Sequence, residues 1–190
     1  MATRKPLSSR PLDLFYFTFF LIHIPATLLL DCQTVFPTWA IPTLLRPLPR
    51  MYIDYHADPL IAGVLGYITG DFTWFKTFLY VEVFFQLPVF VIGALKLWQG
   101  SPSIYPLLLI YGASTATAVL PCLAVLLKTP ITSAETIAAG IHSITPFQQR
   151  LLLWSYTPFL LIPLLIAVDM ACRLSNLIQT GTVSAKKKAA

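Results

Sequence analysis

Four stretches of this chain are long and apolar enough to cross a bilayer, and they govern what it can fold into. About 30 Å of hydrocarbon takes about 17 to 25 helical residues. Leu14–Leu30, Phe78–Leu95 (with a start near Thr73), Ile104–Leu127 and Leu151–Val168 meet or nearly meet that length. No water reaches backbone groups at that depth, so each stretch must satisfy its own hydrogen bonds as a helix. Composition agrees: 56% of residues are hydrophobic and 11% charged, against roughly 25% charged in a soluble domain, and mean hydropathy is +0.73. The expected fold is an all-α integral membrane protein, a bundle of four transmembrane helices at about 12–31, 73–97, 103–127 and 148–172. They form a single domain over residues 1–177, with a flexible cytosolic tail at 178–190.

A fifth apolar stretch, Pro59–Thr69, is too short to span and carries Gly63 and Gly66. It reads as part of a folded lumenal loop over residues 32–72, with Trp39, Tyr52, Tyr55, Tyr67 and Phe72 as interfacial aromatics. Orientation follows the Lys/Arg bias. With both termini cytosolic, that side holds eight cations (Arg4, Lys5, Arg10, Lys96, Arg173, Lys186, Lys187, Lys188) and the other five (Arg46, Arg50, Lys76, Lys128, Arg150). No small-residue cleavage pattern succeeds the first apolar run, which therefore reads as a helix rather than a signal peptide. The ending Lys187-Lys188-Ala189-Ala190 matches a di-lysine retrieval signal of endoplasmic reticulum membrane proteins.

Several classes are excluded. The cations are scattered and form no basic face for nucleic acid. Cys32, Cys122 and Cys172 fall in or beside separate helices and imply no disulfide framework. His23, His56 and His142 make no metal-binding pattern, and no cofactor motif is present.

Two acids carry the functional signal. Asp31 closes the first apolar run and Glu82 interrupts the second. An unpaired carboxylate at that depth costs roughly 2.5 kcal/mol or more, which marks a functional site. Helical rise puts Asp31 near the lumenal boundary and Glu82 deeper, with depths about 10 Å apart. Gln86 lies one turn beyond Glu82; Thr27 and then His23 lie one and two turns before Asp31. Tyr111, Ser114, Thr115 and Thr117 on the third helix, and Ser155 and Tyr156 on the fourth, add hydroxyls. Pro25, Pro88, Pro121, Pro158 and Pro163 fall inside the helices and bend them around a cavity. A buried Glu82 beside Asp31 is expected to share one proton with it at neutral pH, leaving Asp31 as the ionised partner.

The segments Leu21-Ile22-His23-Ile24-Pro25-Ala26-Thr27 and Leu30-Asp31-Cys32-Gln33 begin an ordered set of matches. Asp58-Pro59-Leu60, Trp74-Phe75-Lys76, and Glu82 with Phe85-Gln86-Leu87-Pro88 come next, then Tyr111 with Thr115 and Thr117, then Pro158-Phe159-Leu160-Leu161-Ile162-Pro163. In these the chain resembles the EXPERA-domain family, in its sigma-2-receptor branch, over most of residues 10–172. The resemblance implies an endoplasmic reticulum protein, usually a homodimer, with a pocket opening to membrane lipid. It implies that Asp31 pairs with a protonated amine and that Glu82 sits beside it. Asp58 is implied to be structural; Gln86, Thr117, Tyr52 and Tyr156 line or approach the pocket. Phe159 stands where the branch has tyrosine and Ala118 where it has threonine, and the 59–71 loop is longer.

The combined expectation is a binder of sterols or other lipophilic small molecules such as amines, with a role in sterol homeostasis or trafficking and a sterol-transport membrane protein as its partner. The expected ligand-binding residues are Asp31, Glu82, Gln86, Thr117, Tyr156, Tyr52 and Phe159; Asp58, His23 and Thr115 are expected as structural polar residues. The alternatives are a sterol isomerase of the family's emopamil-binding type and a non-catalytic trafficking or protein-targeting factor. The isomerase uses a histidine and glutamate grouping on its second helix, and no histidine falls between His56 and His142 here.

Overall fold

The computed structural model describes residues 6–189, with side chains through residue 182. Four helices cross the apolar layer: α1 (Pro11–Val35), α4 (Thr73–Gln99), α5 (Tyr105–Lys128) and α7 (Pro146–Ala189). Between α1 and α4 lie two short helices, α2 (Leu48–His56) and α3 (Pro59–Val64). A further short helix, α6 (Ala134–Ala138), begins at a Ser133–Thr136 capping box in the α5–α7 connection. Among the described residues no strand forms, only a bridge between Ile131 and Ile144.

The expected spans hold to within a few residues except at the end of the chain. The backbone of α7 stays helical to Ala189, where a flexible tail was expected from residue 178. Pro163 is the last proline, and Gln, Ala and Lys beyond it are good helix formers. The side chains of Lys187 and Lys188, the pair read as a retrieval signal, lie outside the described residues.

α1 pairs with α4, and α5 pairs with α7. Gly112 lets the second pair close: a Cβ there would sit 2.5 Å from the Pro163 carbonyl oxygen and 2.8 Å from the Ala167 nitrogen. Small residues at a crossing allow such backbone approach in lipid. One half of the bundle packs Tyr16, Phe20, Phe90, Leu108, Tyr111 and Met170 into a core. The outward faces carry exposed Leu21, Ile22, Phe84, Ile92 and Leu161, as a lipid-facing surface requires.

Neither α1 nor α4 is α-helical throughout. Thr27–Asp31 and Glu82–Gln86 are π turns, with Cys32 N–H donating to Thr27 O and Leu87 N–H donating to Glu82 O. Pro25 lies two residues before the first turn and Pro88 two residues after the second. A proline supplies no donor and its ring crowds the carbonyl four residues back; for Pro88 that carbonyl is Phe84, inside the second turn, so the wider turn relieves both problems there, while Pro25 lies upstream of the first turn. Both acids sit in these turns, Asp31 closing one and Glu82 opening the other.

Candidate functional site

The π turns of α1 and α4 face each other and open a cavity of about 250 Å³ among the four long helices. Its walls are mostly apolar, including Ala26, Leu30, Phe75, Phe78, Leu79 and Val119. Asp31 and Glu82 both line it, and their carboxyls come within reach of each other. The depth offset of about 10 Å expected from straight helices is taken up by the bent geometry.

Glu82 is the acid with hydrogen-bonding company. Thr27 Oγ1 donates to Glu82 Oε1 at 2.8 Å, and His23 Nε2 stands 3.6 Å from the same oxygen. The sequence pattern pairs Thr27 and His23 with Asp31, and it leaves the charge on Asp31 and the proton on Glu82. The donors that would steady a carboxylate gather instead on Glu82. His23 is seated among aromatic rings, stacked on Phe90 at 4.5 Å and 4.6 Å from Phe159, with Phe19 edge-on at 5.3 Å.

Asp31, Glu82, Gln86, Tyr52, Tyr156 and Phe159 all line the cavity. His23 and Thr115, expected as structural groups, line it as well. Thr117 does not. It lies on the exposed face of α5 and its hydroxyl donates to Ala113 O at 2.9 Å. Ser155, whose hydroxyl the sequence offered beside the acids, lines the cavity too, as do Pro49 and Cys122, which were not singled out for the pocket.

Asp58 stands behind the lining. It is fully buried, and its Oδ1 accepts from the Leu60 and Ile61 amides at 2.8 and 3.2 Å, capping α3. Its Oδ2 accepts from the hydroxyls of Tyr52 and Tyr156, each at 2.9 Å. Burial pushes the Asp58 carboxyl above its ordinary pKa despite the pull of these four donors. Burial first, and then the Asp58 charge, push the Tyr52 hydroxyl up, so it stays a donor.

At the opposite end a second polar group was missed by sequence reading. Asp13, buried at the start of α1, pairs with Arg10 and accepts from Arg173 Nη1 of α7 at 2.6 Å. Arg173 also pairs with Asp169 at 2.8 Å and lies over the Tyr105 ring. Nothing in sequence spacing joins residues 160 positions apart.

This architecture defines a multi-pass helical membrane protein with a mostly apolar cavity and two acids on facing helices. The family model described as EXPERA (EXPanded EBP superfamily) matches residues 44–170, and the chain belongs to that family. It is 32% identical over 166 residues to Sigma intracellular receptor 2 of Homo sapiens, covering 87% of this chain and 90% of that one. The Xenopus tropicalis protein of the same name is 31% identical over 168 residues, covering 85% and 89%. Efficient mitochondria targeting-associated protein 19 of Schizosaccharomyces pombe is 27% identical over 173 residues, covering 90% of this chain and 81% of its own.

Proposed function

We propose that the protein is an intramembrane receptor for apolar molecules bearing one cation or hydroxyl, with sterols and lipophilic amines as the ligand class. The carrying observation is the acidic pair: two carboxyl groups from different helices share one mostly apolar cavity. Such a site selects a ligand that brings a compensating positive or hydrogen-bonding end and buries the rest. The printed name of the vertebrate relatives, a sigma receptor, supports ligand binding in the same fold. Binding of tritiated N,N-dimethyldodecylamine and tritiated cholesterol to purified wild type, Asp31→Asn and Glu82→Gln tests it. Asp31→Asn or Glu82→Gln should weaken the amine at least about 30-fold, because truncating one partner of a buried charge pair costs at least about 2 kcal/mol. Equal binding by all three proteins would overturn the reading. It would move the weight to a trafficking or targeting role of the kind the fission yeast relative's name describes.

The proposed setting is the endoplasmic reticulum membrane with both termini cytosolic, as a homodimer serving sterol homeostasis or trafficking beside a sterol-transport membrane protein. The cation count of eight against five, the di-lysine ending and the family resemblance support this setting.

One observation favours a second reading, sterol isomerisation. The histidine missing from the second membrane helix is supplied from α1, where His23 Nε2 stands 3.6 Å from Glu82. An acid in a mostly apolar cavity and an imidazole seated among the rings of Phe19, Phe90 and Phe159 are the groups that moving a double bond by protonation and deprotonation needs. Incubation with a Δ8-sterol should yield the Δ7 product on this reading; absence of product under binding conditions removes it.

A further inference from the structure

At the end of the cavity away from α2 and α3, three side-chain atoms have no hydrogen-bond partner among the described residues: His23 Nδ1, Tyr111 OH and Thr115 Oγ1. We propose that these groups form a second polar subsite, which takes an uncharged hydroxyl of a ligand whose cation sits at Asp31 and Glu82. The inference deepens the ligand-binding reading and rests on it for the amine end.

Buried polar groups are ordinarily paired, and each one left unpaired is costly. His23, Tyr111 and Thr115 are 7%, 0% and 4% exposed, so nothing outside the bundle meets that need. His23 and Thr115 line the cavity itself. Tyr111 lies one turn before Thr115 on α5, and its hydroxyl stands beside that of Thr115 and near Glu82. The Phe90 ring gathers the set, with His23 stacked on it at 4.5 Å and Tyr111 edge-on at 5.5 Å.

The donor and acceptor inventory selects the ligand group. His23 turns Nε2 toward Glu82 at 3.6 Å, and an imidazole with its proton on that nitrogen offers Nδ1 as an acceptor. The tyrosine and threonine hydroxyls can each donate. The matching group must therefore give a proton to a nitrogen and accept one from a hydroxyl, which an alcohol does. A carbonyl or an ether has no proton to give, and an ammonium has no lone pair to accept with. The acids and the subsite thus lie on opposite nitrogens of one imidazole ring and demand different chemistry. Water meets the same demand as an alcohol, so a ligand hydroxyl binds here only by reproducing the hydrogen bonds that water makes.

Displacement of tritiated N,N-dimethyldodecylamine by dimethylalkylamines with a terminal hydroxyl, butyl to decyl, tests this on the purified protein in detergent. Each is compared with its analogue carrying a methyl group in place of the hydroxyl, so the cation is constant and only the far end differs. Without a subsite the hydroxyl lowers affinity at every length, because it is buried with no partner. With the subsite, wild type should show one chain length at which the hydroxyl raises affinity about tenfold. Tyr111→Phe and Thr115→Val should each cut that gain about fivefold, the effect of one lost hydrogen bond. Thr117→Val, on the exposed face of α5, should keep it. Tyr111→Phe and Thr115→Val preserve shape and remove hydroxyls that have no partner, so neither should lower the thermal unfolding midpoint. A lowered midpoint in both would show that the hydroxyls are already satisfied within the bundle and would overturn the subsite. A length optimum kept in both variants would overturn it as well. Amine binding with no length optimum would leave the three groups to water and remove the subsite alone, whereas failure of the tritiated amine to bind wild type would remove the ligand reading and the subsite together.

Discussion

Thr27 and His23 both reach from α1 to the same oxygen of Glu82, and Thr27 is fully buried where it does so. Thr27→Val keeps the shape and removes the donor, leaving a buried carboxyl oxygen short of its hydrogen bond. The expected cost is about 2 kcal/mol, read as a lower thermal unfolding midpoint in detergent, with Thr27→Ser recovering most of it. An unchanged midpoint would mean the hydrogen bond carries no net stability. The residue types of this site were legible in the sequence, because acids inside an apolar run stand out. Their partners were not. At α-helical spacing Thr27 shares a face with Asp31, but the π turn Thr27–Asp31 lies between them and shifts that phase. Residues four apart on paper then point to different neighbours.

The same turns decide the matter at the scale of the helix. Prolines inside the spans announced bends, yet proline alone does not say whether a helix kinks, breaks or widens its hydrogen bonds. Here α4 widens: Leu87 N–H bonds Glu82 O, and Pro88 comes next with no donor to give. One extra residue in a turn rotates the helix before it by about 100° relative to the helix after it. Glu82 thereby faces the cavity together with Gln86. Pro88→Ala restores a donor and removes the ring, so α4 can return to α-helical bonding and swing Glu82 off the cavity. The expected result is at least a tenfold loss of amine affinity with thermal stability unchanged or raised. Affinity retained at the wild-type level would show that Pro88 does not hold the turn. The spans themselves were legible, since hydropathy and length fix a membrane helix to within a few residues. The register inside them was not, because a hydrophobic count does not register one inserted residue.

Across the whole molecule two polar clamps hold opposite ends of the bundle. Asp58 joins α2 and α3 to α7, and Asp13 joins the start of α1 to Arg173 of α7. Between them the α5–α7 crossing is locked by the absence of a side chain at Gly112. The Asp13 clamp can be tested as a unit because both partners are known. Arg173→Gln removes the guanidinium from Asp13 and Asp169 together, leaving Asp13 buried with only Arg10. A buried carboxylate that loses one of its two guanidinium partners is expensive, so about 3 kcal/mol of stability should be lost. Asp13→Asn alone should cost less, since it leaves no buried anion. If the two residues act through their mutual contact, the double variant Asp13→Asn/Arg173→Gln should be less unstable than the sum of the single losses, with coupling of at least about 1 kcal/mol. Additive losses would mean that Arg173 acts through Asp169 and the Tyr105 ring, and that α1 is tied to the bundle by its apolar packing rather than by Asp13.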